Sequence, residues 1–518
     1  MSFMLEAPSK GDPVVFAPMR IEAYALMMAM RSCKIVRTGM GPHRAKRTVS
    51  RISDVLAEAP AVVVAGFCGG VTEGLKVGDV VVASSITVLD AESGERDPID
   101  LPDASLLVRA LRRAGHKVHV GNIASTDHIV LGDERIQIEK KGALAVDMES
   151  AWLVPERKSG AFAVVRVVLD TGDEELLSPA LAVRALRASK VLMSVGRVVQ
   201  DWTETTRPRR VLAAKPRSFC AGVERAIECV ERALAAFGPP IYVRKQIVHN
   251  QAVVSSLEDK GAVFVDELDE VPDGARVVFS AHGVAPEVNA EAEAKHLEVI
   301  DATCPLVAKV HQEARRLGSS GHEVILIGHR GHEETVGTMG HHPGMHLVST
   351  VEEVEMLPIA PGSKVALLSQ TTMAVDEVTN IANQIAKKFP LLAGPGPKDI
   401  CYATQNRQEA VKALAQECEV VLVVGSQNSS NSKRLVEVAQ RSGCKAYLIE
   451  NEMSIDLDLI KDAASVGVTA GASAPEELFQ RVVRAISALG PTTFEEREVV
   501  DEEVNFSLPA KVRAWPYR

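Results

Sequence analysis

Asp301-Ala302-Thr303-Cys304-Pro305 decides how the second part of this 518-residue chain is read. It follows Leu297-Glu298-Val299-Ile300, a short apolar run of the kind that forms a buried strand. Pro305 cannot donate to a ladder and ends the strand pattern, so Cys304 is expected on the loop at the strand's C-terminal end. In open α/β sheets that edge is where ligands bind. Two more cysteines have similar settings. Cys220 follows Arg210-Val211-Leu212-Ala213-Ala214 and precedes Ala221-Gly222, and Cys401 follows Lys398-Asp399-Ile400. The three stand at intervals of about 90 residues, far too wide for a zinc knuckle. Strand and helix patterns alternate from residue 210 to 490, which predicts parallel sheets with crossover helices. The spacing of the cysteines predicts three similar subdomains there, although no sequence repeat accompanies it.

The length predicts about three or four domains. A hydrophobic fraction of 46% with only 4% aromatics fits a soluble α/β protein. The net charge of −10 argues against a nucleic-acid surface, which needs a basic stripe. No apolar run reaches the roughly 18 to 20 residues of a membrane span. Met1 to Asp12 lacks a basic region followed by an apolar core, so no secretory signal is expected and the chain reads as cytoplasmic. Eight cysteines in such a chain are expected to be free, catalytic or metal-bound rather than a disulfide scaffold.

Residues 1–202 read as one α/β domain. Its predicted strands are Pro13 to Ala17, Ala61 to Gly66, Val77 to Ala83 and Ala161 to Leu169. The loops Phe67-Cys68-Gly69-Gly70 and Asp170-Thr171-Gly172-Asp173 are expected to follow two of them. Helices are predicted over Ile21 to Met30 and Pro179 to Val199. The polar stretch 203–209 reads as a linker, residues 210–490 as the second module, and 491–518 as an extended C-terminal arm.

The chemistry of the second module starts from its cysteines. Three thiolates on three strand-end loops can hold a 4Fe-4S cluster and leave one iron without a protein ligand. An open metal position admits a substrate. By spacing alone, three unrelated core cysteines fit better, as Cys229, Cys418 and Cys444 do in their helical or strand patterns. Polar loops favour the site. Val248-His249-Asn250, Ser280-Ala281-His282-Gly283, Gly328 to Glu334, Ser426 to Ser432 and Gly471 to Pro475 each follow an apolar segment. Imidazoles, amides and hydroxyls at helix N-termini make a diphosphate cradle, since backbone N–H groups and the helix dipole favour anions.

With Arg217 to Val223, Ser369-Gln370-Thr371-Thr372 and Cys401 to Arg407, these stretches resemble the 4-hydroxy-3-methylbut-2-enyl diphosphate reductases, over residues about 210–510. The resemblance implies a three-lobed α/β trefoil around a central iron–sulfur cluster, one 4Fe-4S per chain, held by Cys220, Cys304 and Cys401. It implies a diphosphate bound by His249, His282, Ser429, Ser430, Asn431 and Ser473, with His332 as a third active-site histidine. Thr371 would lie near the substrate hydroxyl. Glu334 would supply protons as that hydroxyl leaves as water, two electrons then giving isopentenyl or dimethylallyl diphosphate. A ferredoxin or flavodoxin is the implied electron donor. Where the family reads His-Pro-Glu, this chain has His332-Glu333-Glu334; spacing assigns the acid to Glu334 and leaves Glu333 as a solvated loop carboxylate. An aconitase-like hydro-lyase is the competing reading of three cysteines and an open iron.

In the first domain, Gly39-Met40-Gly41-Pro42, Ala65 to Gly70, Gly78 to Val81 and Val146 to Ala151 resemble the nucleoside phosphorylase and nucleosidase superfamily, hopanoid-associated phosphorylases among them. That implies Met148 and Glu149 at the ribose, Asp170 facing the base and helping to protonate the leaving purine, and Gly41 and Gly69 lining a phosphate or water site. A purine nucleoside or adenosylhopane is the implied ligand, and assembly into a homo-oligomer is expected. Leu169-Asp170 stands where Ser-Asp is common, and Phe67-Cys68 replaces small or hydroxyl residues. Hydrolysis and a scaffold without activity therefore stay open beside phosphorolysis.

Overall fold

A computed structural model describes residues 7–515 apart from 91–93, 96, 156–159, 173–178, 361 and 394–398. Asp173 and Lys398, placed above in a loop and before a strand, lie outside the described residues. The chain forms two compact units. One gathers Met1–Val211, Glu452–Ala464 and Arg481–Phe494; the other gathers Leu212–Asn451, Ser465–Gln480 and Glu495–Arg518.

The first unit is built on β1 (Val14–Ala17), β2 (Lys34–Arg37), β3 (Ala61–Gly70), β4 (Val80–Asp90), β5 (Val118–Thr126), β6 (Ala143–Asp147) and β7 (Ala161–Asp170). Runs such as Val62-Val63-Val64 and Val164-Val165 are β-branched and wholly buried, as strands covered on both faces require. β1 pairs in parallel with β2 and β3. β3 also pairs with β6 and β7, β4 pairs with β5 and β7, and β5 pairs with β6. These pairings close a ring. The expected loop Phe67 to Gly70 is in fact the end of β3: Gly69 and Gly70 stand opposite Val146 and Ala145 of β6, and that pairing extends the strand. The predicted helices occur as α1 (Arg20–Ala29) and α2 (Leu181–Glu204). Because α2 runs on to Glu204 and the next strand starts at Arg209, the connection is shorter than the expected 203–209.

Three further sheets follow. One orders β8 (Arg209–Lys215), β9 (Val420–Val424), β10 (Lys445–Ile449), β11 (Ser465–Ala470) and β12 (Thr492–Glu498) as β10-β9-β11-β8-β12. The C-terminal stretch read as an arm thus begins as an edge strand. A second sheet runs Ala262–Val265, Ile241–Arg244, Arg276–Phe279, Glu298–Asp301, and a third runs His346–Val348, Glu323–Ile327, Val365–Ser369, Leu392–Ala393, all in parallel. Each sheet has a separate apolar core, seen in Val243 with Ile300, Ile325 with Ile381, and Val421 with Leu414. All eight cysteines are free.

Candidate active site

Cys220, Cys304 and Cys401 are each the N-cap of a helix: Ala221–Phe237, Pro305–Ser319 and Tyr402–Glu417. Pro305 ends the strand pattern because it opens a helix, where its fixed φ and missing N–H cost nothing. The backbone N–H of each cysteine is tied to a different polar loop. Cys220 donates to Ala472 O (3.3 Å), Cys304 to Ala281 O (3.0 Å) and Cys401 to Thr371 O (3.1 Å). Fully buried Arg407 couples two of the loops, donating to Ser218 O (2.8 Å) and Phe219 O (3.2 Å) before Cys220 and to Ala403 O (3.1 Å) after Cys401.

The three cysteines face one cavity. His249, His282, His332, Glu334, Thr371, Ser429, Ser430, Asn431 and Ser473 line the same cavity, so every candidate residue of this module is brought together there. His249 and His282 stack with centroids 4.1 Å apart, and His332 meets them edge-on at 5.4 and 5.8 Å. Asn250 caps the helix Gln251–Asp259 through Oδ1 and so fixes the loop carrying His249. His332 caps Glu333–Gly340, accepting from Glu334 N at 3.2 Å, and Ser429 caps Ser430–Arg441. Several helix N-termini thus border one cavity, where their dipoles favour an anion.

Glu334 is buried, and both its oxygens accept from Thr371: Oε1 from the backbone N at 2.6 Å, Oε2 from Oγ1 at 3.0 Å. Burial pushes its carboxyl above the usual range, outweighing those hydrogen bonds. Burial also holds the His249 and His332 imidazoles down at about 3, with neighbouring histidines adding to the shift. Ser473 Oγ lies 3.3 Å from Ser429 Oγ and donates to His249 O at 3.2 Å. Asn431 has both amide atoms, Nδ2 and Oδ1, buried without a hydrogen-bond partner. Such an orphaned amide is costly unless a ligand or water completes it.

The donor set fits a cluster. A Cβ on Gly222 would stand 2.7 Å from Cys304 Sγ and 3.8 Å from Cys220 Sγ, so the glycine leaves space where two sulfurs approach. Burial, then the Cys220 sulfur, raises the Cys401 thiol to about 12; burial raises Cys304 to about 11. Soft metal binding would take the place of those protons. Cys229, Cys418 and Cys444 instead sit in apolar cores. Glu333, read as a solvated loop carboxylate, is half-buried, with Oε2 3.4 Å from His282 Nδ1.

A family model described as LytB protein matches residues 211–487. This chain belongs to the LytB protein family. The 4-hydroxy-3-methylbut-2-enyl diphosphate reductase of Bordetella pertussis is 53% identical over 306 residues, 59% of this chain and 94% of the relative. The reductase of the same name from Methylococcus capsulatus is 49% identical, covering 58% and 98%. Among solved structures, the E-1-hydroxy-2-methyl-but-2-enyl-4-diphosphate reductase of Plasmodium falciparum matches with a TM-score of 0.57 at 36% identity, covering 59% of this chain and 98% of that one. A second model, described as phosphorylase superfamily, matches residues 14–198. The LytB protein is therefore an oxidoreductase of isoprenoid biosynthesis with a nucleoside phosphorylase-like first domain. Among its described residues no helix is long and apolar enough to cross a membrane.

That first domain has a cavity of about 740 Å³ lined by Met148, Glu149, Asp170 and Gly69. Gly41 is not in the lining, but its N–H donates to Glu149 Oε1 at 3.0 Å. Sequence reasoning missed the charges behind these groups. Arg166 is wholly buried, with Nη2 2.7 Å from Asp147 Oδ2 and 3.7 Å from Glu149 Oε2. Burial alone would lower its pKa, but Asp147, Glu149 and Glu22 carry it above its ordinary value. Burial raises both the Glu149 and Glu22 carboxyls despite Arg166. Glu22 also lines the cavity and accepts from Met19 N and Phe67 N, each at 2.6 Å. The one sequence signal for it was a carboxylate in the first turn of α1. Asp170, expected to face a base, lines the cavity and is ion-paired with buried Arg135.

Proposed function

We propose that the second module reduces 4-hydroxy-3-methylbut-2-enyl diphosphate to isopentenyl and dimethylallyl diphosphate. The observation that carries this reading is the cavity that holds three N-cap cysteines, a buried carboxyl and an Asn431 amide with no partner of its own. Cys220, Cys304 and Cys401 are the residues to hold a 4Fe-4S cluster, which when bound supplies two electrons in single steps and an open iron as Lewis acid. His249, His282, Ser429, Ser430, Asn431 and Ser473 bind and orient the diphosphate. Asn431 gains the partners it lacks, and the neutral His249 and His332 donate N–H without bringing charge of their own. Burial raises the Glu334 carboxyl and so favours its protonated form, and the Thr371 hydroxyl 3.0 Å away relays a proton from it to the leaving hydroxyl, which departs as water. The C–O bond is replaced by a C–H bond at the cost of two electrons and two protons. A ferredoxin or flavodoxin is the expected donor.

The test is anaerobic reconstitution with iron and sulfide, followed by assay with the butenyl diphosphate and a reduced one-electron donor. The wild type should form both products. Cys304→Ser should lose cluster iron and activity together; a variant that keeps full activity refutes the assignment.

For the first domain, we infer binding of an adenosine-type nucleoside, adenosylhopane being one such ligand, with Met148 and Glu149 at the ribose. A carboxylate there can accept from both ribose hydroxyls. Asp170, paired with buried Arg135, lines the same cavity. Incubation with 5′-deoxyadenosine, with and without phosphate, distinguishes the outcomes. Free adenine only with phosphate means phosphorolysis, adenine in both means hydrolysis, and none refutes catalysis on this substrate class.

A further inference from the structure

The first turn of the helix Glu333–Gly340 brings a carboxylate to two imidazoles. Glu333 Oε2 is 3.4 Å from His282 Nδ1, and His249 stacks on His282. One ligand-capable atom from each of the three residues lies within 4.8 Å of the others. A tetrahedral zinc ion with bonds of about 2.0–2.1 Å sets its ligand atoms about 3.3–3.4 Å apart. The His282–Glu333 pair already has that spacing. Two imidazoles and one carboxylate suit divalent first-row ions and leave positions open.

We propose that His249, His282 and Glu333 bind one divalent first-row transition ion of the zinc class, and that this ion displaces the diphosphate ligand. An imidazole nitrogen gives a metal its lone pair or gives a phosphate oxygen its N–H, and cannot do both. The displacement rests on the diphosphate reading of the cavity; the ion site rests on geometry alone. Equilibrium dialysis of the cluster-loaded protein against zinc chloride, with wild type and Glu333→Gln side by side, measures the site directly. The wild type should take up one saturable equivalent, and the variant should bind at least ten-fold more weakly. Zinc-edge X-ray absorption should show nitrogen and oxygen neighbours with no sulfur shell. Zinc should raise the apparent KM for the butenyl diphosphate and leave kcat unchanged. Uptake that is not saturable, equal affinity in the variant, or a sulfur shell would overturn the site, whether or not the protein reduces anything. Glu333-dependent uptake with an unchanged KM would overturn the displacement alone.

Discussion

Glu334 and Thr371 show how one residue's burial sets its chemistry. Removed from water, the carboxyl stays protonated further up the pH scale than a surface glutamate, and a retained proton is what a general acid needs. Glu334→Gln keeps the shape and removes the acid. Turnover should fall by about 10²–10⁴-fold with KM little changed, as steady-state kinetics would show. His311 is a counterpart with no proposed role in the reaction. Burial, then His341 and Arg315, holds its imidazole at about 3, and its Nε2 is buried without a partner. The unfolded chain takes up a proton near pH 6.5, which the folded protein refuses until about pH 3. His311 therefore adds stability that is complete above the unfolded value and is lost as pH falls from there towards 3. Melting of the wild type and His311→Phe at about pH 8 and about pH 5 should show a smaller acid-induced drop in Tm for the variant. Which single residues matter was only partly legible beforehand. Cys220, Cys304, Cys401 and Glu334 stand in motifs, whereas Arg166 and Glu22 act through partners far away in sequence, and a linear pattern carries no sign of such pairings.

At the scale of elements, the strand ends and helix starts around Cys304 were readable because Val299-Ile300 and Pro305 speak for themselves. That all three cysteines cap helices was not readable, since cysteine is not a favoured N-cap residue. β3 ran past its expected end for a similar reason. Gly69 and Gly70 look like a turn locally, and pairing with Val146 and Ala145 of β6 and with Asp170 of β7 makes them strand. The glycine at the second position of the helix Ala221–Phe237 tests the capped arrangement. In Gly222→Ala the new methyl would stand 2.7 Å from Cys304 Sγ. Cluster iron and sulfide should fall well below the wild-type content while far-UV circular dichroism stays unchanged. Full cluster content in that variant would mean the sulfurs do not need this space.

For the whole molecule, the cysteines at intervals of about 90 residues stand beside three sheets, one of which takes β8 from residues 209–215 and its other strands from beyond residue 419. The division of the chain was less legible. Glu452–Ala464 and Arg481–Phe494 group with the first unit although they lie beyond residue 450, and such returns leave no mark in composition or turn signals. The family resemblance and the cavity together make reduction the central activity, against the hydro-lyase that the same three cysteines would also permit. Both chemistries would break a C–O bond, so electrons separate them. The decisive measurement is the amount of donor oxidised per product formed by the cluster-loaded protein from 4-hydroxy-3-methylbut-2-enyl diphosphate. Strict dependence on the donor, with two electrons consumed per isopentenyl or dimethylallyl diphosphate, is the predicted result; product formed without donor oxidation would contradict it.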